Sequence, residues 1–114
     1  MTSDRGAIGT YDVLIVPFPF AERDAVKRPA LALSSAEFIA ATGTVVVAMI
    51  TTKGHAPWPD DVAVRDLDAA GLRTSCVVRW KLVTRDVRHI AGKAGSLSSR
   101  DRATAKAALR KAIG

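Results

Sequence analysis

The order of apolar and polar residues along the chain predicts a small protein built mainly of strands. Short runs rich in β-branched residues, bounded by proline, glycine or polar residues, have the length and composition of strands. They lie at residues 12–18, 29–33, 44–51, 61–65, 75–84 and 88–91, and the polar residues 21–28 predict a loop. The run at 75–84 is long enough to be either one strand or two strands joined by a bulge.

Helical signals are confined to two segments. Residues 35–41 predict a turn of helix capped by Ser35. After Ser98 the apolar period becomes that of an amphipathic helix over residues 99–112, and Asp101 lies three residues after Ser98, as in a capping box. Several short strands followed by one terminal helix predict a small, mostly antiparallel barrel or sheet.

Composition limits the class of protein. A chain of 114 residues has room for a single domain, with residues 1–10 predicted as a flexible N-terminal tail. The longest apolar run, residues 45–50, is far shorter than the roughly 18 residues that cross a bilayer, so no membrane partner is expected. The single cysteine, Cys76, lies within an apolar run, which predicts a core position and favours a reducing, cytoplasmic compartment.

Charge is distributed unevenly along the chain. There are 17 basic and 11 acidic residues, a net charge of +6. Residues 1–60 carry five Lys or Arg against six Asp or Glu, and residues 61–114 carry twelve against five, so the positive field comes from the second half. That asymmetry, and the Arg102, Lys106 and Arg110 face of the terminal helix, suits either a polyanion such as nucleic acid or a solvated basic surface.

Few residues are candidates for chemistry. His55 and His89 are the only histidines, and no Cys or carboxylate cluster has ligand spacing, so neither metal nor cofactor is predicted. Strand alternation over residues 75–83 places Cys76, Val78, Trp80 and Leu82 on one face and Ser75, Val77, Arg79, Lys81 and Val83 on the other. Two cations on one face are either solvated or paired with an anion such as a phosphate.

Three further segments place polar side chains at the ends of predicted strands. Arg28, preceded by Lys27, ends the polar loop directly before a strand, and Thr51 ends another strand. Lys53 then opens the loop KGHAPWP, which contains His55 and Trp58. His55 is either a proton acceptor or an exposed bystander. Trp58 either stacks on an unpaired base or covers the end of the barrel.

Taken together, these segments resemble the MazF/PemK family of toxin endoribonucleases from bacterial type II toxin–antitoxin pairs. Four blocks carry the resemblance: YDVLIVPFPF at 11–20, KRPALALS at 27–34, VVVAMITTK at 45–53 and SCVVRWKLVTRD at 75–86. The resemblance covers the chain from about Tyr11 to the terminal helix, and it implies an SH3-like small antiparallel barrel with a C-terminal α-helix.

The resemblance also implies an active site. The family's usual pair, the arginine of the RPA motif and the threonine ending the central strand, falls on Arg28 and Thr51, with Ser75 and Arg79 matching further motif positions. We expect Lys27, Lys53, His55, Trp58 and Lys81 to bind RNA or support the site. Lys81 occupies the position where PemK-type members carry an acidic residue, and their N-terminal catalytic histidine has no evident counterpart, so their acid–base scheme does not transfer whole.

The implied activity is metal-independent, sequence-specific cleavage of single-stranded RNA or mRNA, leaving a 2′,3′-cyclic phosphate and inhibiting translation and growth. The implied partners are RNA, a second copy of the chain in a homodimer, and an acidic antitoxin. Two other classes stay open: a gyrase poison of the same fold, which would depend on the last residues of the terminal helix, and a non-catalytic RNA- or partner-binding SH3-like module.

Overall fold

The computed structural model describes residues 8–18, 26–54 and 56–114. Its strands are β1 (Asp12–Phe18), β2 (Val26–Ala32), β3 (Thr44–Thr52), β4 (Val62–Ala63), β5 (Cys76–Asp86) and β6 (Gly92–Ser96). Its α-helices are α1 (Ala36–Thr42), α2 (Leu67–Ala70) and α3 (Ser99–Ile113). No helix within these ranges is long and apolar enough to cross a membrane.

The strands form one sheet in the order β4-β5-β3-β2-β1-β6, with every neighbouring pair antiparallel. Strand β3 lies near the middle of the sheet, because it pairs with β2 on one side and with β5 on the other. The prediction of a mainly β, antiparallel fold with a C-terminal helix is confirmed.

Both faces of the sheet are covered by apolar side chains, because alternate residues of each strand point to opposite sides. One face carries a first cluster, which includes Val13, Leu31 and Ile50 and packs against α2 and α3 through Ala70 and Ala105. The other face carries a second cluster, which includes Leu14, Val16, Ala30, Ala32, Val45, Val47 and Met49 and packs against Ile39 of α1. Cys76 is buried in the first cluster, as the sequence predicts.

The predicted hydroxyl caps form at both helix starts, whereas the carboxylate of the predicted capping box, Asp101, bonds to another segment. The Ser35 hydroxyl accepts from the Phe38 amide at the start of α1, and the Ser98 hydroxyl accepts from the Asp101 amide at the start of α3. The Asp101 carboxylate, only 1% exposed, accepts from the backbone amides of Arg65 and Asp66. That carboxylate therefore joins α3 to the segment between β4 and α2.

Two predicted elements differ from the structure. Residues 26–28 belong to β2 and not to a loop, because the register with β1 continues to the Phe18–Val26 pair. Residues 88–91 are not a strand: Val87–His89 form a 3-10 turn whose cap, Asp86, accepts from the Arg88 amide, and the strand that pairs with β1 begins at Gly92. Both differences follow from long-range pairing, which local sequence does not encode.

The predicted N-terminal tail is described only in part. Residues 1–7 lie outside the described residues. Ile8 is buried in the second cluster, and the Thr10 hydroxyl donates to the Ser34 carbonyl oxygen at 3.0 Å. Residues 8–10 are therefore packed onto the fold.

Candidate active site

A cleft opens where two neighbouring strands stop pairing. The β2–β3 ladder ends at the Ala30–Met49 pair. Continuing that register by two residues sets Arg28 across from Thr51, with the strands no longer hydrogen-bonded to each other there. The resulting cleft has a volume of about 310 Å³. It is lined by Phe18, Arg28, Met49, Ile50, Thr51, Trp58, Arg79 and Lys81.

A bulge in β5 shapes the opposite wall of this cleft. Ala48 pairs with Leu82, but the next residue of β3, Met49, pairs with Arg79. Trp80 and Lys81 therefore have no partner in the ladder, and the strand bends at this point. The sequence predicted either one strand or two strands joined by a bulge, and the structure has one strand that contains a bulge.

The alternation predicted for β5 holds along most of its length. Val78 and Trp80 pack with the first cluster, while Arg79 and Lys81 line the cleft on the other side. Leu82 lies on the predicted face, since its ladder partner Ala48 belongs to the first cluster, but it was expected in the core and is instead 39% exposed.

Arg28 and Thr51 contribute uncommitted donors to the cleft. Arg28 is exposed on β2, and Thr51 is half-buried on β3. Within the described ranges, neither the guanidinium nor the hydroxyl makes a hydrogen bond or ion pair. A guanidinium donates to two oxygens of a phosphate at once, and a neighbouring hydroxyl adds one more hydrogen bond. This corner of the cleft is suited to an anionic ligand.

Arg79, in contrast, is committed to a carboxylate. Its Nε lies 3.2 Å from Asp61 Oδ1 and its Nη2 lies 2.8 Å from Asp61 Oδ2, a two-point ion pair. Nη2 also donates to the Ala56 carbonyl oxygen at 3.0 Å. The two side chains are 13% and 12% exposed, so most of this pair is withdrawn from solvent.

The Asp61–Arg79 pair is maintained at neutral pH. Hydrogen bonding from Arg79 lowers the pKa of Asp61 below its ordinary value of 3.8, with a smaller contribution from the Trp58 amide, while burial acts in the opposite direction. Because the pKa of Asp61 is lower in the folded protein than its ordinary value of 3.8, the carboxylate is charged at every pH well above that value, where the ion pair stabilises the fold. Its stabilising contribution is lost only as the pH falls through the lowered pKa.

Trp58 forms a wall of the cleft beside this ion pair. Its amide donates to Asp61 Oδ2 at 3.0 Å, and the Arg79 guanidinium lies 5.3 Å from the centre of its ring. The side chain is still 46% exposed. Trp80, the other tryptophan, is directed elsewhere, since its Nε1 donates to the Asp60 carbonyl oxygen at 2.7 Å.

Lys81 is the second cation of the β5 wall. It is exposed, and its Nζ lies 5.5 Å from the centre of the Phe18 ring at the end of β1. No carboxylate in the described part of the chain forms an ion pair with it. Lys81 and Arg28 therefore supply the available positive charge of the cleft.

Three further predicted site residues, Lys27, Lys53 and Ser75, are not among the described residues that line the cleft. Alternation along β2 places Lys27 on the opposite face from Arg28. Lys53 and Ser75 are joined by a backbone hydrogen bond of 3.0 Å at the end of the β3–β5 ladder. His55 lies outside the described residues. Among the described residues, no three His, Cys, Asp or Glu side chains group together as metal ligands.

Sequence reasoning missed Asp61 and the apolar lining. Asp61 is directly before β4, and extending the Val62–Val78 register by one residue sets it across from Arg79. The signal available was weak: an acidic residue at the start of a predicted edge strand. In sequence, Phe18, Met49 and Ile50 look like ordinary strand residues. Only the order of the strands in the sheet shows that they line the cleft.

The fold and the cleft define a class of small antiparallel-sheet proteins with a terminal helix and a cationic site on one sheet face. A family model described as the PemK-like, MazF-like toxin of type II toxin–antitoxin systems matches residues 10–113. The chain belongs to this family of toxins. None of the curated proteins matches it by sequence.

Solved structures share the fold at low sequence identity. A mycobacterial endoribonuclease in complex with its cognate antitoxin is 20% identical with a TM-score of 0.74, over 95% of this chain and 94% of that one. MazF in a MazE–MazF complex from Deinococcus radiodurans is 18% identical with a TM-score of 0.76, over 94% and 96%. A MazF toxin of Mycobacterium tuberculosis is 23% identical with a TM-score of 0.70, over 90% and 95%.

Proposed function

We propose that this toxin is a metal-independent, sequence-specific endoribonuclease that cuts single-stranded RNA, including mRNA, and so inhibits translation and growth. The observation that carries the proposal is the meeting of Arg28 and Thr51, whose donors have no partner among the described residues, in a cleft that also contains Lys81 and the exposed Trp58. A solved relative of the same fold is described as an endoribonuclease.

The reaction is attack of a ribose 2′-hydroxyl on the adjacent phosphorus. The 2′ oxygen forms a bond to phosphorus and gives up its proton, while the bond from phosphorus to the 5′ oxygen breaks and that oxygen is protonated. The products are a 2′,3′-cyclic phosphate and a 5′-hydroxyl. Negative charge grows on the phosphoryl oxygens in the transition state, where preorganised donors act most strongly.

We assign to Arg28 the role of donating hydrogen bonds to the phosphoryl oxygens on which this charge grows. Thr51 adds a supporting hydrogen bond. A guanidinium carries five N–H donors and no acceptor atom, so Arg28 serves as a hydrogen-bond donor and not as the base. His55, four residues after Thr51, is the candidate base on sequence grounds.

A cleavage assay in EDTA with matched variants tests these assignments. Arg28→Ala should lower the rate by at least about 10²-fold, the scale for loss of one preorganised donor. Thr51→Ala should lose less, because a neutral hydroxyl is a weaker partner for a phosphate. Arg100→Ala, which removes an exposed arginine on α3 outside this cleft, is the control and should retain the wild-type rate. Full activity in both cleft variants would show that the site is wrongly placed.

The proposed partners are a second copy of the chain and an acidic antitoxin, in the cytoplasm. One structure of the same fold is that of an endoribonuclease in complex with its cognate antitoxin, and another is that of a MazE–MazF complex. The net charge of +6 and the unpaired cations of the cleft favour an acidic peptide segment there, in direct competition with RNA. A homodimer would bring two such positive surfaces into one assembly.

A further inference from the structure

We infer that Asp61 is a positioning residue for substrate binding: through Arg79 it fixes the ring of Trp58 as a stacking platform for an RNA base, and Arg79 is not a phosphate ligand. The inference rests on the proposed binding of RNA in the cleft. It concerns the segment from Ala56 to Asp61, which no part of the reaction chemistry above uses.

The Asp61 carboxylate is the centre of this arrangement. It accepts three hydrogen bonds: one on Oδ1 from Arg79 Nε, and two on Oδ2, from Arg79 Nη2 and the Trp58 amide. Arg79 in turn holds the Ala56 carbonyl. The segment is thus tied at Ala56, Trp58 and Asp61 to one side chain of β5, which makes the position of the indole depend on Asp61.

The geometry leaves Trp58 available to a ligand. The Arg79 guanidinium covers one side of the ring at 5.3 Å, and the side chain is nevertheless 46% exposed within the cleft lining. A base stacked on an aromatic side chain contributes about 1–3 kcal/mol, or a factor of about 5 to 140 in affinity. A ring held in place avoids the ordering cost that a mobile ring would meet on binding.

The same geometry removes Arg79 from phosphate binding. The Nε–Nη2 edge of its guanidinium is occupied by the Asp61 carboxylate, Nη2 also donates to the Ala56 carbonyl oxygen, and the side chain is 13% exposed. A phosphate that bound this edge at two points would have to displace a carboxylate that is already in two-point contact. The cations left for the backbone of RNA are Arg28 and Lys81.

Replacing Asp61 with Asn separates positioning from charge. An amide has one acceptor oxygen in place of two, so in either orientation its NH2 group faces an N–H donor of Arg79 or Trp58. If Asp61 acts only through its charge, removing a negative charge beside the cleft should tighten RNA binding. If it positions Trp58, binding should weaken although the protein has become more positive.

The experiment compares Asp61→Asn, Arg79→Ala and the control Asp60→Asn, measuring KM, kcat and the salt dependence of RNA binding. Asp60→Asn makes the same charge change one residue away and breaks only the exposed Lys111 contact at 3.3 Å. Asn also tolerates the positive φ of 63° at this position. We expect Asp61→Asn and Arg79→Ala each to raise KM about 5- to 140-fold with little change in kcat, and Arg79→Ala to leave the salt slope at its wild-type value.

A readout without RNA keeps this test separate from the proposed function. In protein labelled with 5-fluorotryptophan, the Trp58 resonance should shift in Asp61→Asn and Arg79→Ala but not in Asp60→Asn. An unchanged far-UV circular dichroism spectrum in all three variants would report an intact fold. If the wild-type protein fails to bind RNA, a Trp58 shift confined to the first two variants still supports the Asp61–Arg79 clamp.

Two results would overturn the inference. One is an Asp61→Asn variant with an unmoved Trp58 resonance, or one that binds RNA as tightly as the wild type or more tightly. The other is a fall of about 0.7 in the salt slope of Arg79→Ala, the change expected for loss of one contact with single-stranded RNA. The double variant should match either single variant, because both remove the same clamp.

Discussion

At the scale of single residues, the three cations of the cleft differ in whether their charge is already paired with a carboxylate. Arg79 is held by Asp61 in a largely buried pair, whereas Arg28 and Lys81 are exposed and form no ion pair within the described ranges. In sequence these three residues look equivalent: each is a basic residue in or next to a predicted strand. Their different roles follow from one carboxylate that the sheet places opposite Arg79.

Lys81 provides a direct test of this division. Lys81→Ala should lower the salt slope of RNA binding by about 0.7, because one phosphate contact is lost. Binding should weaken at low salt and converge with the wild type as salt rises, with little change in the chemical step, since an ammonium is a point-charge binder. Lys106→Ala, an exposed lysine on α3 outside the cleft lining, is the control. An unchanged slope in Lys81→Ala would show that this side chain does not face the RNA.

At the scale of elements, the parts predictable from sequence are those whose signals are local. The strand of residues 12–18 and the caps Ser35 and Ser98 appear as predicted, because β-branched runs and hydroxyl caps act within a few residues. The predictions for the start of β2 and for the position of β6 were wrong. The segment Gly92–Ser96 has little strand propensity of its own and is a strand because it pairs with β1.

Gly95 shows how closely β6 packs against α2. A Cβ at Gly95 would overlap the Ala69 carbonyl oxygen and lie 2.7 Å from the Ala70 carbonyl carbon, whereas a Cβ at Gly92 of the same strand meets nothing within 4 Å. Gly95→Ala should therefore reduce the free energy of unfolding by about 1–3 kcal/mol, the cost of overpacking. Gly92→Ala should leave it nearly unchanged. Urea denaturation of both variants checks the prediction, and equal stabilities would contradict the described packing.

At the scale of the whole molecule, the basic second half and the near-neutral first half meet in one cleft. Arg28 and Thr51 come from the first half, and Arg79 and Lys81 come from the second. The sequence could nominate these residues through their motifs, and the structure brings together five of the eight candidates that it describes: Arg28, Thr51, Trp58, Arg79 and Lys81. Which cation is free and which is paired depends on strand order and register, and those are properties of the assembled sheet.

The proposed homodimer is a prediction at this same scale. Light scattering at micromolar concentration should give about twice the chain mass of 12.1 kDa. An acidic antitoxin peptide should displace bound RNA from that species, because both ligands use the same cations. A mass near that of one chain, or RNA and peptide bound together without competition, would contradict these two proposals.

The most direct test of the central claim is the chemistry of the cut ends. Single-stranded RNA incubated with the purified protein in excess EDTA should be cleaved to fragments ending in a 2′,3′-cyclic phosphate and beginning with a 5′-hydroxyl, as read by mass spectrometry. Arg28→Ala should give the same ends at least about 10²-fold more slowly. Cleavage that appears only when magnesium is added, or fragments with 3′-hydroxyl and 5′-phosphate ends, would contradict the assignment of the Arg28–Thr51 cleft as a metal-independent ribonuclease site.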